Sequence, residues 1–236
     1  MLADSLVHDA VRFAGSLVNR EEFNRLQDLR RQVTPEGYTL KDFDRTQSIF
    51  LHIPKTGGVS VSRALYGNLA ASHKTIEQYQ LAFSARDFNR YFKFCFVRNP
   101  WDRLYSAYRF LRKGGIDATD REWAAKNLTS FSDFEQFVTV WLSRENAQSS
   151  IHFRPQHEFM LGRFSNRVHV DFIGRFENLA TDFAYVARRI GVNANLPHLN
   201  RTSSGASYRD VYTNRMARRV GDVYREDIRR LDYAFQ

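Results

Sequence analysis

The sequence has one cysteine, Cys95, so no disulfide can form within the chain. That suits a reducing compartment, and the expected location is cytoplasmic. No run of 18 apolar residues occurs, so no transmembrane helix is expected. The N-terminus lacks the basic-then-apolar order of a secretory signal. Repeats, low-complexity tracts and linker-like stretches are missing as well. The 236 residues therefore read as one domain, 1–236, with a peripheral helical segment over 1–45 and a core over 48–232. Acidic residues are fewer than basic ones, 26 against 35, and the net charge is +9. This balance points to anionic partners: nucleotides, nucleic acid, acidic glycans or a membrane surface, the last as a peripheral contact. No His/Cys/Asp/Glu cluster has metal-ligand spacing, so no metal is expected.

Short apolar runs alternate with helical patterns along the chain. Residues 1–32 carry Leu6, Val7, Ala10, Val11 and Ala14 at helical spacing, which predicts one or two peripheral helices packed on the domain or on a partner. Residues 33–47 read as an irregular lead-in. Ser48–Ile53 and Tyr91–Val97 are buried strands. Between them Thr75/Gln78 and Ser84/Asp87 cap two short helices. Asn99 and Pro100 start a helix whose apolar face is Trp101, Leu104, Tyr105, Tyr108 and Leu111, and Gly114-Gly115 stops it. A polar connection over 116–131 precedes a helix capped by Ser132 and Glu135. Residues 144–166 read as a loop and Val168–Ile173 as a strand. A helix then carries Phe183, Val186, Ala187 and Ile190, a polar loop spans 193–210, and a last helix runs from Asn214 to Leu231. Strands alternating with helices predict an α/β fold, a central parallel sheet flanked by helices.

The core is organised around residues 49–60, where the first strand meets a glycine turn and then a helix. Such a turn aims backbone N–H groups at the helix start, where the dipole favours an anion. Gly57 and Gly58 let the anion approach the main chain. Lys55 adds positive charge, and Thr56 and Ser60 add hydroxyls. The physical reading is a phosphate cradle. It is not a Walker A loop, which places the lysine after the glycines. Arg98 ends the second strand, and Ser106 lies two helical turns beyond it. An arginine fork and a hydroxyl at a strand's carboxyl end suit a second phosphate. The residues leave another role open for Arg98, a pair with Asp102.

Together these two motifs resemble a known family. His52-Ile53-Pro54-Lys55-Thr56-Gly57-Gly58-Val59-Ser60 resembles the 5′-phosphosulfate loop of sulfotransferases that use 3′-phosphoadenosine 5′-phosphosulfate (PAPS). Phe96-Val97-Arg98-Asn99-Pro100-Trp101-Asp102-Arg103-Leu104-Tyr105-Ser106 resembles their 3′-phosphate motif. The carbohydrate sulfotransferases are most similar, over roughly 48–232. Val59 departs from the family's usual threonine, so backbone N–H groups must supply that contact. The resemblance implies a P-loop-like nucleotide-binding fold and in-line transfer of a sulfuryl group from PAPS to an acceptor hydroxyl, most simply of a glycan. Lys55 would neutralise the leaving phosphate. Thr56, Gly57, Gly58, Val59 and Ser60 would hold the 5′ end, and Arg98 and Ser106 the 3′-phosphate. Arg201 would contact the cofactor. His73, 25 residues before Arg98, matches the place of the catalytic histidine in 2-O-sulfotransferases; a helix-capping or surface role is the alternative. His52 reads as core, while His152 and His157 are candidates to line the acceptor cleft. The competing classes are a P-loop-type kinase, with Asp171 as metal ligand, and a basic nucleic-acid-binding protein. The missing Walker A order counts against the first. Scattered arginines count against the second, so no nucleic-acid partner is expected. Oligomeric state stays open.

Overall fold

The computed structural model describes residues 2–162, 167–196 and 207–235, with side chains from residue 6 onward. The described residues form two compact units. The first draws on segments 1–53, 57–97 and 158–199, the second on 54–56, 98–157 and 200–236.

The first unit holds a three-stranded parallel sheet: β1 (Ser48–Leu51), β2 (Phe92–Val97) and β3 (Phe172–Arg175), in the order β1-β2-β3. Phe50 lies opposite Phe94 and Phe94 opposite Phe172. β1 is buried at every position and β2 at all but Phe92, as expected of parallel strands covered on both faces. Helices α1 (Leu2–Val18), α2 (Arg20–Arg31), α3 (Lys41–Thr46), α4 (Gly58–Tyr66), α5 (Ile76–Ala82), α6 (Ala85–Arg90) and α12 (Leu179–Arg189) belong to this unit. The expected α/β fold with a parallel sheet flanked by helices is thus observed. The Thr75/Gln78 capping box starts α5, and Ser84 accepts from the Asp87 N–H to start α6. From α5, the Tyr79 hydroxyl donates to the Phe50 carbonyl at 2.9 Å, fastening the helix to the first strand.

The second unit holds α7 (Pro100–Arg112), α8 (Ala118–Asn127), α9 (Phe134–Gln136, continuing as a wider π turn over Phe137–Trp141), α10 (Arg144–Ala147), α13 (Asn214–Val223) and α14 (Arg225–Leu231). Its core gathers Trp101, Leu104, Tyr108, Leu111, Phe137, Phe153, Met216, Val220 and Tyr224. Asn99 caps α7 by accepting from the Trp101 N–H, and Pro100 occupies the first helical position. The Trp101 indole donates to the Ala217 carbonyl and binds α7 to α13.

Several expectations are corrected. The lead-in over 33–47 contains α3, and the polar connection over 116–131 contains α8, whose Asp117 cap accepts from the Asp120 N–H. Asp133, not Ser132, caps α9, because its carboxylate takes the Gln136 N–H at 2.8 Å. Two short helices, α10 and α11 (His157–Met160), interrupt the expected loop over 144–166. β3 starts at Phe172 rather than Val168, which instead makes a lone antiparallel bridge with Leu161. The last helix breaks at Tyr224 into α13 and α14.

Candidate functional site

The cradle sequence divides between the two units: Pro54–Thr56 packs in the second and Gly57 onward in the first.

In the first unit β1 leads through His52 to Gly57, whose left-handed backbone (φ 83) precedes α4. The first intrahelical bond runs from the Val61 N–H to the Gly57 carbonyl at 3.2 Å. The amides of Gly58, Val59 and Ser60 therefore stand ahead of the helix ladder with no acceptor inside it. Such amides can donate to an anion, with the positive end of α4 behind them. Val59 is 39% exposed and Ser60 half-buried. A glycine is required at 58 for close packing: a Cβ there would fall inside the van der Waals envelope of the His52 ring. His52 is buried, as expected, and stacks on Phe50 with centroids 5.6 Å apart. Its ring meets that of His73 edge-on at 4.3 Å. His73 Nδ1 donates to the His52 carbonyl at 2.9 Å. A carbonyl only accepts, so this bond puts a proton on Nδ1, and in the neutral ring the lone pair then lies on Nε2. Gly58, His52 and His73 thus form one packed series beside the start of α4.

The second unit brings Lys55 and Arg98 together. Lys55 has a left-handed backbone (φ 70), unusual for a residue with a side chain. Arg98 Nη1 donates to the Lys55 carbonyl at 3.1 Å, and its Nε donates to Asp102 at 2.7 Å. The Asp102 pair left open by the sequence is therefore present, and the arginine also holds the loop. Arg103, buried on α7, donates from Nε to the Pro54 carbonyl at 2.9 Å. The Lys55 ammonium sits 3.7 Å from the centroid of the Phe110 ring. Burial, with Arg98 and Arg103 nearby, pushes this ammonium down to about 8, against the opposing pull of Asp120. Ser106 is half-buried on α7, two turns beyond its cap. Thr56 is fully buried.

Gln156 holds the Arg98 main chain in both directions. Its side-chain oxygen accepts from the Arg98 N–H at 2.9 Å, and its amide donates to the Arg98 carbonyl at 2.8 Å. Buried Asp227 fixes Gln156 in turn, accepting from its backbone N–H at 2.7 Å. His157 Nδ1 bonds the same carboxylate at 2.6 Å. His152 Nε2 bonds Asp120 at 2.9 Å, with its ring 5.0 Å from Phe110. Both histidines proposed for an acceptor cleft are therefore tied to carboxylates. Elsewhere in this unit Thr139, Arg215, Arg218, Arg219 and Asp222 line a pocket of about 270 Å³.

Arg201 lies outside the described residues. Asp171, considered as a metal ligand, accepts from the Lys93 N–H at 2.7 Å and its ammonium at 3.1 Å, and so fastens β2. Among the described residues no group of three or more His, Cys, Asp or Glu is placed to hold a metal. No helix there is long and apolar enough to cross a membrane. The sequence did not single out Arg103, Phe110, Gln156 or Asp227.

Similar proteins include an uncharacterised protein of Archaeoglobus fulgidus, 32% identical over 125 residues, 52% of this chain and 88% of that one. Carbohydrate sulfotransferase 11 of Rattus norvegicus is 29% identical over 147 residues, 55% of this chain and 41% of that protein. Carbohydrate sulfotransferase 14 of Danio rerio is 29% identical over 115 residues, 43% of this chain and 30% of that protein. The matched part spans less than half the length of these two carbohydrate sulfotransferases. Residues 39–234 match the sulfotransferase family, from the lead-in before β1 to beyond α14, and the chain belongs to that family.

Proposed function

We propose that this protein transfers a sulfuryl group from PAPS to a hydroxyl of a carbohydrate acceptor. The observation that carries the reading is the Lys55 loop. A lysine in left-handed conformation is tied through its carbonyl to Arg98, directly ahead in sequence of the glycines and the open amides of α4. This set fits the anionic donor. Cations flank the loop, and the amides at the start of α4 have no acceptor within the helix.

PAPS supplies the activated sulfuryl group and leaves as the 3′,5′-bisphosphate PAP. Lys55 would balance charge on the leaving 5′-phosphate. Thr56, Gly57, Gly58, Val59 and Ser60 would orient that end, with main-chain donors at Val59 where the side chain offers none. Arg98 and Ser106 would take the 3′-phosphate, Arg98 with its main chain held by Gln156. His73 would take the acceptor's hydroxyl proton on Nε2, its ring set by the bond from Nδ1 to the His52 carbonyl. Arg215, Arg218 and Arg219 around one pocket suit an anionic glycan, a class that the names of the relatives also suggest. The kinase reading is not favoured, since Asp171 is committed to Lys93.

Titration calorimetry tests the reading. PAP should bind at a single site without added metal, and ATP with magnesium should bind far more weakly. Tighter binding of ATP than of PAP would contradict it.

A further inference from the structure

Helix α1 faces the protein with its polar side. His8 Nε2 donates to the Phe83 carbonyl at 3.2 Å, Arg12 Nε to the Leu81 carbonyl at 3.2 Å, and Asp9 accepts from the Ala85 N–H at 3.2 Å. Gly15 packs on Leu81. The apolar side is turned outward. Leu6 is 71% exposed, Phe13 68%, Leu17 67% and Val18 88%, and Val7, Ala10, Val11 and Ala14 are exposed with them. An amphipathic helix normally buries its apolar stripe. Here no described residue covers it.

Three features say what does. Leu6, Ala10, Phe13 and Leu17 recur at alternating spacings of four and three, the rhythm of a helix–helix seam. The exposed apolar side chains of α1 present roughly 700 Å² to solvent. That approaches the ~800 Å² per partner of a standard interface and exceeds the roughly 300–600 Å² of the largest patch on a typical monomer. Charge argues against a lipid surface as the occupant. Leu2–Val18 contains no lysine and one arginine, Arg12, which is spent on Leu81, beside Asp4 and Asp9. An interfacial membrane helix is instead bordered by Lys and Arg. An uncharged seam is what a self-complementary interface wants at its core.

We propose that this face pairs with the same face of a second copy of the chain, α1 antiparallel to α1 across a two-fold axis near Ala10. In that arrangement Phe13 of one copy meets Val7 of the other and Leu6 meets Ala14, so larger side chains sit on smaller ones, and residue i meets j as j meets i.

Sedimentation equilibrium of the full chain tests this, beside the double variant Phe13→Lys/Leu17→Lys. Both positions are exposed, so the variant should keep the wild-type circular dichroism. The wild type should sediment at twice the chain mass and the variant at the chain mass. A wild type at the single-chain mass, or a variant that stays dimeric, overturns the proposal. A monomeric wild type that pellets with phosphatidylserine vesicles overturns it in favour of a lipid surface. A second test does not depend on that variant. Under mild oxidation Ala10→Cys should cross-link to twice the chain mass, because residues near the axis meet themselves, and Val18→Cys should not. Native Cys95 is fully buried and stays out of the reaction. A folded Ala10→Cys protein that fails to cross-link contradicts the antiparallel pair.

Discussion

Replacing Lys55 by methionine should stabilise the protein while abolishing transfer. Lys55 is held where its charge is disfavoured: burial and Arg98 lower its ammonium from 10.5 to about 8. At about 1.4 kcal/mol per pH unit, that fall corresponds to roughly 3 kcal/mol held against the charged form. Partial solvent access and the ring contact with Phe110, worth about 0.5–2 kcal/mol, reduce the penalty at pH 7 to about 1–2 kcal/mol. Methionine keeps the chain length and the contact with the ring but not the charge. For a chain of this size, about 2–4 °C per kcal/mol predicts a Tm rise of about 2–8 °C. The pH dependence fixes the cause. Below about pH 8 the lysine is charged in both folded and unfolded chains and the penalty is complete. Between about 8 and 10.5 the unfolded chain binds the extra proton, so wild-type stability gains with pH. The advantage of the variant should therefore be full at pH 7, smaller at pH 9 and gone above 10.5. Thermal unfolding of both proteins across that range measures it. A variant that is less stable at pH 7, or equally advantaged at pH 7 and pH 10.5, would refute the reasoning. Transfer at saturating PAPS should fall by about 10²–10³-fold.

Arg98→Ala should weaken PAP far more than AMP in calorimetric titration; equal losses would show that its bonds to Asp102 and the Lys55 carbonyl are its whole role. His73→Ala should lower kcat by about 10²–10⁴ and leave PAP affinity unchanged, and the acid-side fall of the wild-type rate should be absent from the variant. Loss of PAP binding in step with rate would remove His73 as the base. Gly58→Ala should cost about 1–3 kcal/mol by overpacking the His52 ring. In a His52→Ala background the same change should cost nearly nothing, and an undiminished cost there would show that the clash lies elsewhere.

The sheet and the loop were legible because each rests on local chemistry. The apolar runs at 48–53 and 91–97 had no choice but burial, and Asn99-Pro100 and Thr75/Gln78 carry their own capping bonds. Helix α8 was missed because only Asp120 and Ala124 are buried along it, which leaves almost no apolar period to read. The stripe Leu6, Val7, Ala10, Val11 and Ala14 predicted the helix correctly, but not that it would face outward while His8, Asp9 and Arg12 bond inward. The supports of the site were invisible for a different reason. Gln156 and Asp227 lie 58 and 129 residues after Arg98, and nothing in local sequence announces that one clamps its backbone and the other holds the clamp. Arg98 itself was legible by position, yet its second bond, to the Lys55 carbonyl, needed the fold to be seen.

The most direct measurement is transfer itself: the protein incubated with ³⁵S-labelled PAPS and a panel of uncharged and anionic glycans, with label on the glycan and release of PAP followed together. Label should reach an anionic glycan in step with PAP, with no metal added, and Lys55→Met should abolish both. PAP bound tightly but label reaching only peptide or lipid hydroxyls would contradict the carbohydrate acceptor, and failure to bind PAP or consume PAPS would contradict the proposed reaction altogether.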